Sequence, residues 1–460
     1  MRILAHIIFE ADSALRFGCG DFDMLYDSPI QRDFNGLPLI LGTSICGVIR
    51  ANAKEIFSQS EIENLFGFSK GREDSSSKII FSNALLLDEK MQVNESLIPF
   101  SALKKSKFLS YFLHLPQRQH NAIGAQGVCK DGAKFDEEII YKGTRFKCAM
   151  EMKCENERDK EDFFKVLSLF YSPYIRFGAG STKGFGVIKT LEIRYEILQN
   201  PFSKSSSLNQ SLSQIFTPQD FTPKSHFTHY ALTLTPENVF LFGSGFGDLF
   251  DSGFGDEYAD SIAVSEKVVD YANGTLSEAK LLIPASSIKG TISQRTKFYI
   301  NQHLRNFIDS AESTSDSNDT KSAQIHATLF GSANSQTNQP TKGRILVRDM
   351  YLDYDEKRNS QIFVHNSIDR FSASVIDGAL FQEKATFAPT PNLCIDIFVA
   401  TTNSHNPQDF ATATNAFEKA LVDICNGALP LGAMSSKGHG FFSGDLHKNG
   451  EKIHKNGAKL

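Results

Sequence analysis

Apolar and polar positions along the first fifty residues predict a strand, a loop, a short strand and a helix. The apolar run Ile3 to Phe9 predicts the first strand, and a loop carrying Gly18, Gly20, Asp21, Asp23 and Asp27 follows it. Asn35-Gly36 is a strong turn signal that returns the chain into the apolar Leu37 to Leu41. Gly42-Thr43-Ser44 then reads as a helix start, with Ile45, Val48 and Ile49 at helical spacing behind it. A loop rich in carboxylates is thereby tied to an open helix N-terminus. Backbone N–H groups at such an end favour phosphate, and a nearby carboxylate can hold a metal or take a proton.

This arrangement recurs. LPLILGTSICGVIR at 37–50 is matched by LLIPASSIKGTISQR at 281–295, and Leu65-Phe66-Gly67 by Leu329-Phe330-Gly331. SKIIFSNALLLD at 77–88 is matched by GRILVRDMYLD at 343–353. A His-Asn segment opens at His120-Asn121 and again at His365-Asn366. Each leads through D-G-A-x-F into an alternating strand, the pattern of a protruding hairpin. Finally GAGSTKGFGV at 178–187 answers GAMSSKGHGF at 432–441, each after an amphipathic helix at about 160–171 and 409–426. Five matched stretches in one order mark a tandem duplication.

The order of strand, helix, strand pair, helix, Gly-rich loop and strand predicts an α+β fold. It is that of two tandem ferredoxin-like or RRM-like domains with β-hairpin insertions. The first domain is placed at 1–199 and the second at 227–446. A Ser-, Gln- and Pro-rich stretch at 200–226 reads as an exposed linker. DSAESTSDSNDTKSAQ at 309–324 reads as a disordered insertion, and the basic tail at 447–460 as a flexible end.

Composition narrows the class. No apolar run approaches the roughly 20 residues that cross a bilayer, and the N-terminus is too acidic for a secretory signal, so a cytoplasmic protein without membrane contact is expected. Seven scattered cysteines form no C-x-x-C pair, which argues against disulfides and structural zinc. A net charge of −5 excludes nucleic-acid binding by bulk positive charge, so any such contact is local.

The matched stretches resemble the RAMP superfamily, and within it the backbone subunits of type III CRISPR effector complexes. The resemblance is carried by G-C-G…D-S-P-I-Q-R-D-x-N-G-L-P-L-I-L-G-T-S-I-C-G-x-I-R, by the hairpin D-G-A-x-F-x-x-E, and by G-A-G-S-T-K-G-F-G. Two backbone-type domains in one chain look like the fused subunits of type III-D-like complexes. The resemblance implies that the chain assembles along a guide RNA with other RAMP subunits and the complex's large subunit. Its hairpins would act as thumbs interrupting the guide–target duplex. An Asp in the first loop would support cleavage of target RNA with Mg²⁺ (or Mn²⁺). That Asp stands before Ser-Pro in the motif and maps to Asp27, as catalytic residue and metal ligand.

The residues themselves admit plainer readings. Asp-Ser-Pro at 27–29 also suits a turn or a cap, and Asp21, Asp23 and Asp33 read as solvated loop residues. In the second copy Asp260 precedes Ser261 as Asp27 precedes Ser28, although Ile262 replaces the proline and Asp248, Asp251 and Asp256 compete. Gly42, Thr43 and Ser44, and Ser286 and Ser287, are ordinary helix starts that the resemblance places against the guide backbone. The family's basic residue is Lys289 in the second copy but Cys46 in the first, which leaves Arg50 for phosphate there. Lys183 and Lys437 of the Gly-rich loops would neutralise phosphate. The loop is no Walker A motif, which needs Lys directly before Ser/Thr and four residues between its glycines. His120 and His365 hold equivalent hairpin positions as structural or RNA-stacking groups. Two rivals to an RNA-cleaving subunit stay open: a non-catalytic guide-binding scaffold, and a metal-independent guide-processing ribonuclease that relies on a histidine.

Overall fold

The computed structural model describes all residues except 21–27, 71–72, 125–128, 130, 200–206, 219–225, 247–258, 306–320, 333–340, 388–391, 402–405 and 455–460. In the first half, strands Arg2–Ala11, Ile79–Phe81, Arg145–Lys153 and Ile188–Leu198 form an antiparallel sheet. In chain order they lie 4-1-3-2, the split βαβ arrangement that the pattern predicts. In the second half, Phe227–Pro236, Ile345–Val347, Leu393–Ala400 and Phe442–Lys448 repeat that order. The α+β class and the doubling are therefore both present.

Helices cover one face of each sheet. Along Arg2–Ala11 the side chains of Ile3, Ala5, Ile7, Phe9 and Ala11 are fully buried beneath Gly42–Ala53 and Glu157–Ser168. Asn156 caps the latter helix by accepting from Asp159 N, and Ser58 forms a reciprocal capping box with Glu61 on Gln59–Phe66. In the second half Tyr230, Leu232 and Leu234 pack beneath Ala285–Leu304, Lys321–Phe330 and Pro407–Cys425.

The opposite faces are covered too, each differently. Residues 207–218, within the stretch read as an exposed linker, lie as a strap over the first sheet. Asn209 Oδ1 accepts from Val93 N, and its Nδ2 donates to Val93 O, both at 2.9 Å. Leu212 is buried and Phe216 stacks on Phe164 at 5.7 Å. His6 is buried beneath the strap, its Nδ1 3.1 Å from Gln210 O, and burial lowers its pKa to about 4. The second sheet's outer face instead meets the first half, where Tyr174 stacks on Phe227 at 4.2 Å and lies edge-on to Phe398.

The flexible tail expected from 447 onward is corrected. Glu451–His454 pairs with Phe442–Lys448 through an Asn449-Gly450 turn in which both residues have positive φ, the geometry of a two-residue hairpin. His454 is buried, its Nε2 2.9 Å from Asn426 Oδ1. Of the insertion at 309–324, residues 321–324 begin the helix Lys321–Phe330, and the rest lies outside the described residues. All seven cysteines are free. Among the described residues no helix is long and apolar enough to cross a membrane.

Candidate functional site

The first half brings its three motif stretches together. The first loop (Arg16, Phe17, Gly18, Gln31), the helix start (Leu41, Thr43, Ser44, Gly47, Val48) and the Gly-rich loop (Gly178, Ala179) enclose a cleft of about 480 Å³. Thr43 and Ser44 line it. Gly42 is buried, and its N–H already donates to Asn83 Oδ1 at 2.9 Å, so this amide is not open to a ligand. Arg50 lies in the helix's last turn, about 12 Å along the axis from Gly42, and does not line the cleft. Asp27, Asp21 and Asp23 fall outside the described residues. Asp33 is a turn residue, its Oδ1 accepting from Asn35 N and Leu37 N at 2.8 and 2.9 Å; burial raises its pKa.

The hairpin histidine and the loop lysine converge on a buried glutamate that the sequence reading passed over. Glu137 is 2% exposed and pairs with Arg16 Nη1 at 2.5 Å, His120 Nε2 at 3.1 Å and Lys183 Nζ at 3.7 Å. His120 stacks on Phe135 at 5.1 Å, and Lys183 lies 4.6 Å over the same ring. Burial opposes the charged form of Glu137. The hydrogen bond from His120 and the charges of Lys183 and Arg16 outweigh it, and its pKa falls below the usual carboxylate value. Arg16 also donates to Ser28 Oγ at 2.8 Å, fixing the residue that follows Asp27.

The second half repeats the constellation. Glu383 is fully buried and pairs with His365 Nε2 at 2.8 Å, His439 Nε2 at 3.5 Å and Lys437 Nζ at 3.6 Å, with Lys437 4.9 Å over Phe381. The registers agree, His120 opposite Phe135 and His365 opposite Phe381. Ser28 bridges Glu137 as Ser261 bridges Glu383, both in parallel, which supports aligning Asp260 with Asp27. Asp260 Oδ2 accepts from Gln382 N at 2.7 Å and so anchors the hairpin strand. The recurring acid of the hairpin motif thus stands one position earlier than D-G-A-x-F-x-x-E implies. That pattern selects Glu138, which pairs with Arg32 and accepts from Ile30 N, and whose counterpart is Lys384.

The halves lock at a seam that buries charge. Arg118 donates through Nε and Nη2 to Glu266 at 2.7 and 2.8 Å and through Nη1 to Asp349 at 2.6 Å, while resting 4.6 Å over Phe185. Asp349 Oδ1 accepts from Ala285 N at 2.8 Å, closing the first amide of the second helix start. Gly184, at φ +102°, rests there. A Cβ on it would collide with the Asp349 carboxylate and come within 2.7 Å of Ala285 Cβ, so only glycine fits. Ser286 is half-buried and Ser287 exposed. Burial, and then the charge of Lys183 in the other half, lower the pKa of Lys289 to about 8. Among the described residues no group of three His, Cys, Asp or Glu could hold a metal ion.

The family model of the RAMP superfamily matches residues 8–189 and 241–443. Among solved structures, the chain is similar to one from the type III-B Cmr-beta complex bound to cognate target RNA. The identity is 14% and the TM-score 0.31, over 42% of this chain and 60% of that one. It is also similar to a chain of Cmr-beta in the apo state, at 16% identity and a TM-score of 0.32, over 41% of this chain and 96% of that one. No curated protein matches it.

Proposed function

Because the chain belongs to the RAMP superfamily through both of its halves, we propose that it is a backbone subunit of a type III CRISPR effector complex. In this reading it binds guide RNA and cleaves complementary target RNA with a divalent metal. The observation that supports it is the convergence of three separate motif stretches on one cleft. Guide phosphates would pass Thr43 and Ser44, then the seam, where Lys183, Lys289, Ser286 and Ser287 meet them. Lys437 would serve the following nucleotides, with His120 and His365 holding the thumbs. Its partners would be target RNA, sibling RAMP subunits and the large subunit, in the cytoplasm.

Asp27 would hold a Mg²⁺ or Mn²⁺ ion that polarises the scissile phosphate. Such ions need only one or two carboxylates when the substrate supplies phosphate oxygens. Asp260 fits the same demand, since Oδ2 anchors Gln382 N and Oδ1 has no partner among the described residues. The test is Asp27→Ala in a complex reconstituted with guide RNA. Target cutting should fall about 100-fold or more while assembly is kept. Unchanged cutting at every position would reject the reading and leave the scaffold role. A histidine-based guide-processing enzyme is less well supported, because His120 is held between Glu137 and Phe135 with 8% of its side chain exposed. Cleavage of repeat RNA in EDTA, lost in His120→Ala, would restore it.

A further inference from the structure

Where the first half meets the outer face of the second sheet, two arginines flank the Tyr174–Phe398 ring contact. Arg176 stands two residues before Gly178, and Arg348 directly before Asp349. Arg176 is 7% exposed. Its Nη1 donates to Pro173 O and Ile175 O, both at 2.8 Å, whereas its buried Nε and Nη2 have no partner among the described residues. Arg348 is half-buried, rests 5.3 Å over the Phe398 ring, and has a buried Nε that is likewise unpaired. Burial, and then Arg348, pull the Arg176 guanidinium down to about 10, against the attraction of Asp12. Asp12 is itself engaged by Lys142 at 2.5 Å.

Arg118 shows what the free edge lacks. Its Nε and Nη2 each donate to one oxygen of Glu266. That edge of a guanidinium matches a two-oxygen anion through parallel bonds. Arg176 presents the same Nε–Nη2 edge with nothing on it, beside a second cation from the other half. Two like charges gathered in a protein interior are costly unless an anion joins them. Tyr174, stacked on Phe227 and edge-on to Phe398, forms an aromatic wall beside them.

We propose that Arg176 and Arg348 form a binding site for a phosphate-class oxyanion that bridges the two halves, Arg176 gripping it by its forked edge and Arg348 by Nε. The ligand is inorganic phosphate or the phosphodiester of an RNA strand. The site shares no residue with the cleft or the aspartates, so it stands whether or not the chain cuts RNA.

The test is thermal unfolding of the full chain in phosphate and in chloride at matched pH and ionic strength. Phosphate should raise the wild-type Tm by about 1.5 °C at a concentration near ten times its Kd. The rise should vanish in Arg348→Met and in Arg176→Met. In chloride, Arg348→Met should melt no lower than wild type, because it relieves a repulsion. Equal Tm in the two salts with no rise in RNA either, a rise that persists in Arg348→Met, or a lower melting point of that variant in chloride would each overturn the proposal. Should Arg176→Met not fold, Arg348→Met decides alone. Homopolymeric RNA in chloride separates the sources. A rise with RNA that Arg348→Met abolishes assigns the site to a strand, and a rise with inorganic phosphate alone assigns it to the free ion.

Discussion

The two buried glutamates share a plan and differ in their partners. Glu137 is held by an arginine, a histidine and a lysine; Glu383 by two histidines and a lysine. The backbone shows where the difference arises. Ala179 N donates to Arg16 O in the first half, and Ala433 N to Leu241 O in the second, so Leu241 takes the place of Arg16. His439 takes the place of Phe185, the ring on which Arg118 rests. The first site is thus finished by a permanent cation and sealed by the other half. The second is finished by groups that carry charge only when protonated, and its His365 side chain is 34% exposed. Duplication kept the glutamate and let each copy adapt to what stands next to it.

This contrast can be broken most forcefully at Arg118. Arg118→Ala leaves Glu266 and Asp349 buried without their cation and should cost about 3–5 kcal/mol of stability in urea unfolding. Phe363, at the same register position of the second hairpin, should cost no more than about 1 kcal/mol on truncation to alanine. Equal losses would mean that the seam does not set the halves apart. Leu212→Ala, within the strap, should cost about 2–4 kcal/mol and raise hydrogen exchange across the first sheet but not the second. Glu137→Gln strands Arg16 and should cost about 2 kcal/mol. Glu383→Gln should cost about 1 kcal/mol, since it strands no arginine. The smallest effect concerns RNA affinity. With its pKa lowered to about 8, Lys289 is charged at pH 7 and mostly neutral at pH 9, so affinity should fall a few-fold over that interval. Lys289→Arg should bind equally well at both ends.

Much of the architecture was legible because a duplicated pattern checks itself. The strand order, the helix starts, and the pairing of His120 with His365 and of Lys183 with Lys437 all follow from matched stretches. Glu137 escaped because three adjacent acids stand at 136–138, and only comparison with Gln382-Glu383-Lys384 shows which one recurs. Arg16 escaped because it has no counterpart in the other copy. The strap was hidden by composition, as its grip depends on single residues, Asn209 and Leu212, within a polar stretch. The tail hairpin was missed although Asn449-Gly450 is a strong turn signal, because its strand Glu451–His454 buries only His454.

The strap bears on how far the halves can part. It is the same polypeptide that joins them, and it is stapled to the first sheet as far as Phe216. Residues 217–226 can span at most about 35 Å when fully drawn out. Separation beyond that reach would have to peel Leu212 and Asn209 from their seats. An effector that tugged the halves asunder past that point would bare the first sheet as it unzipped its covering.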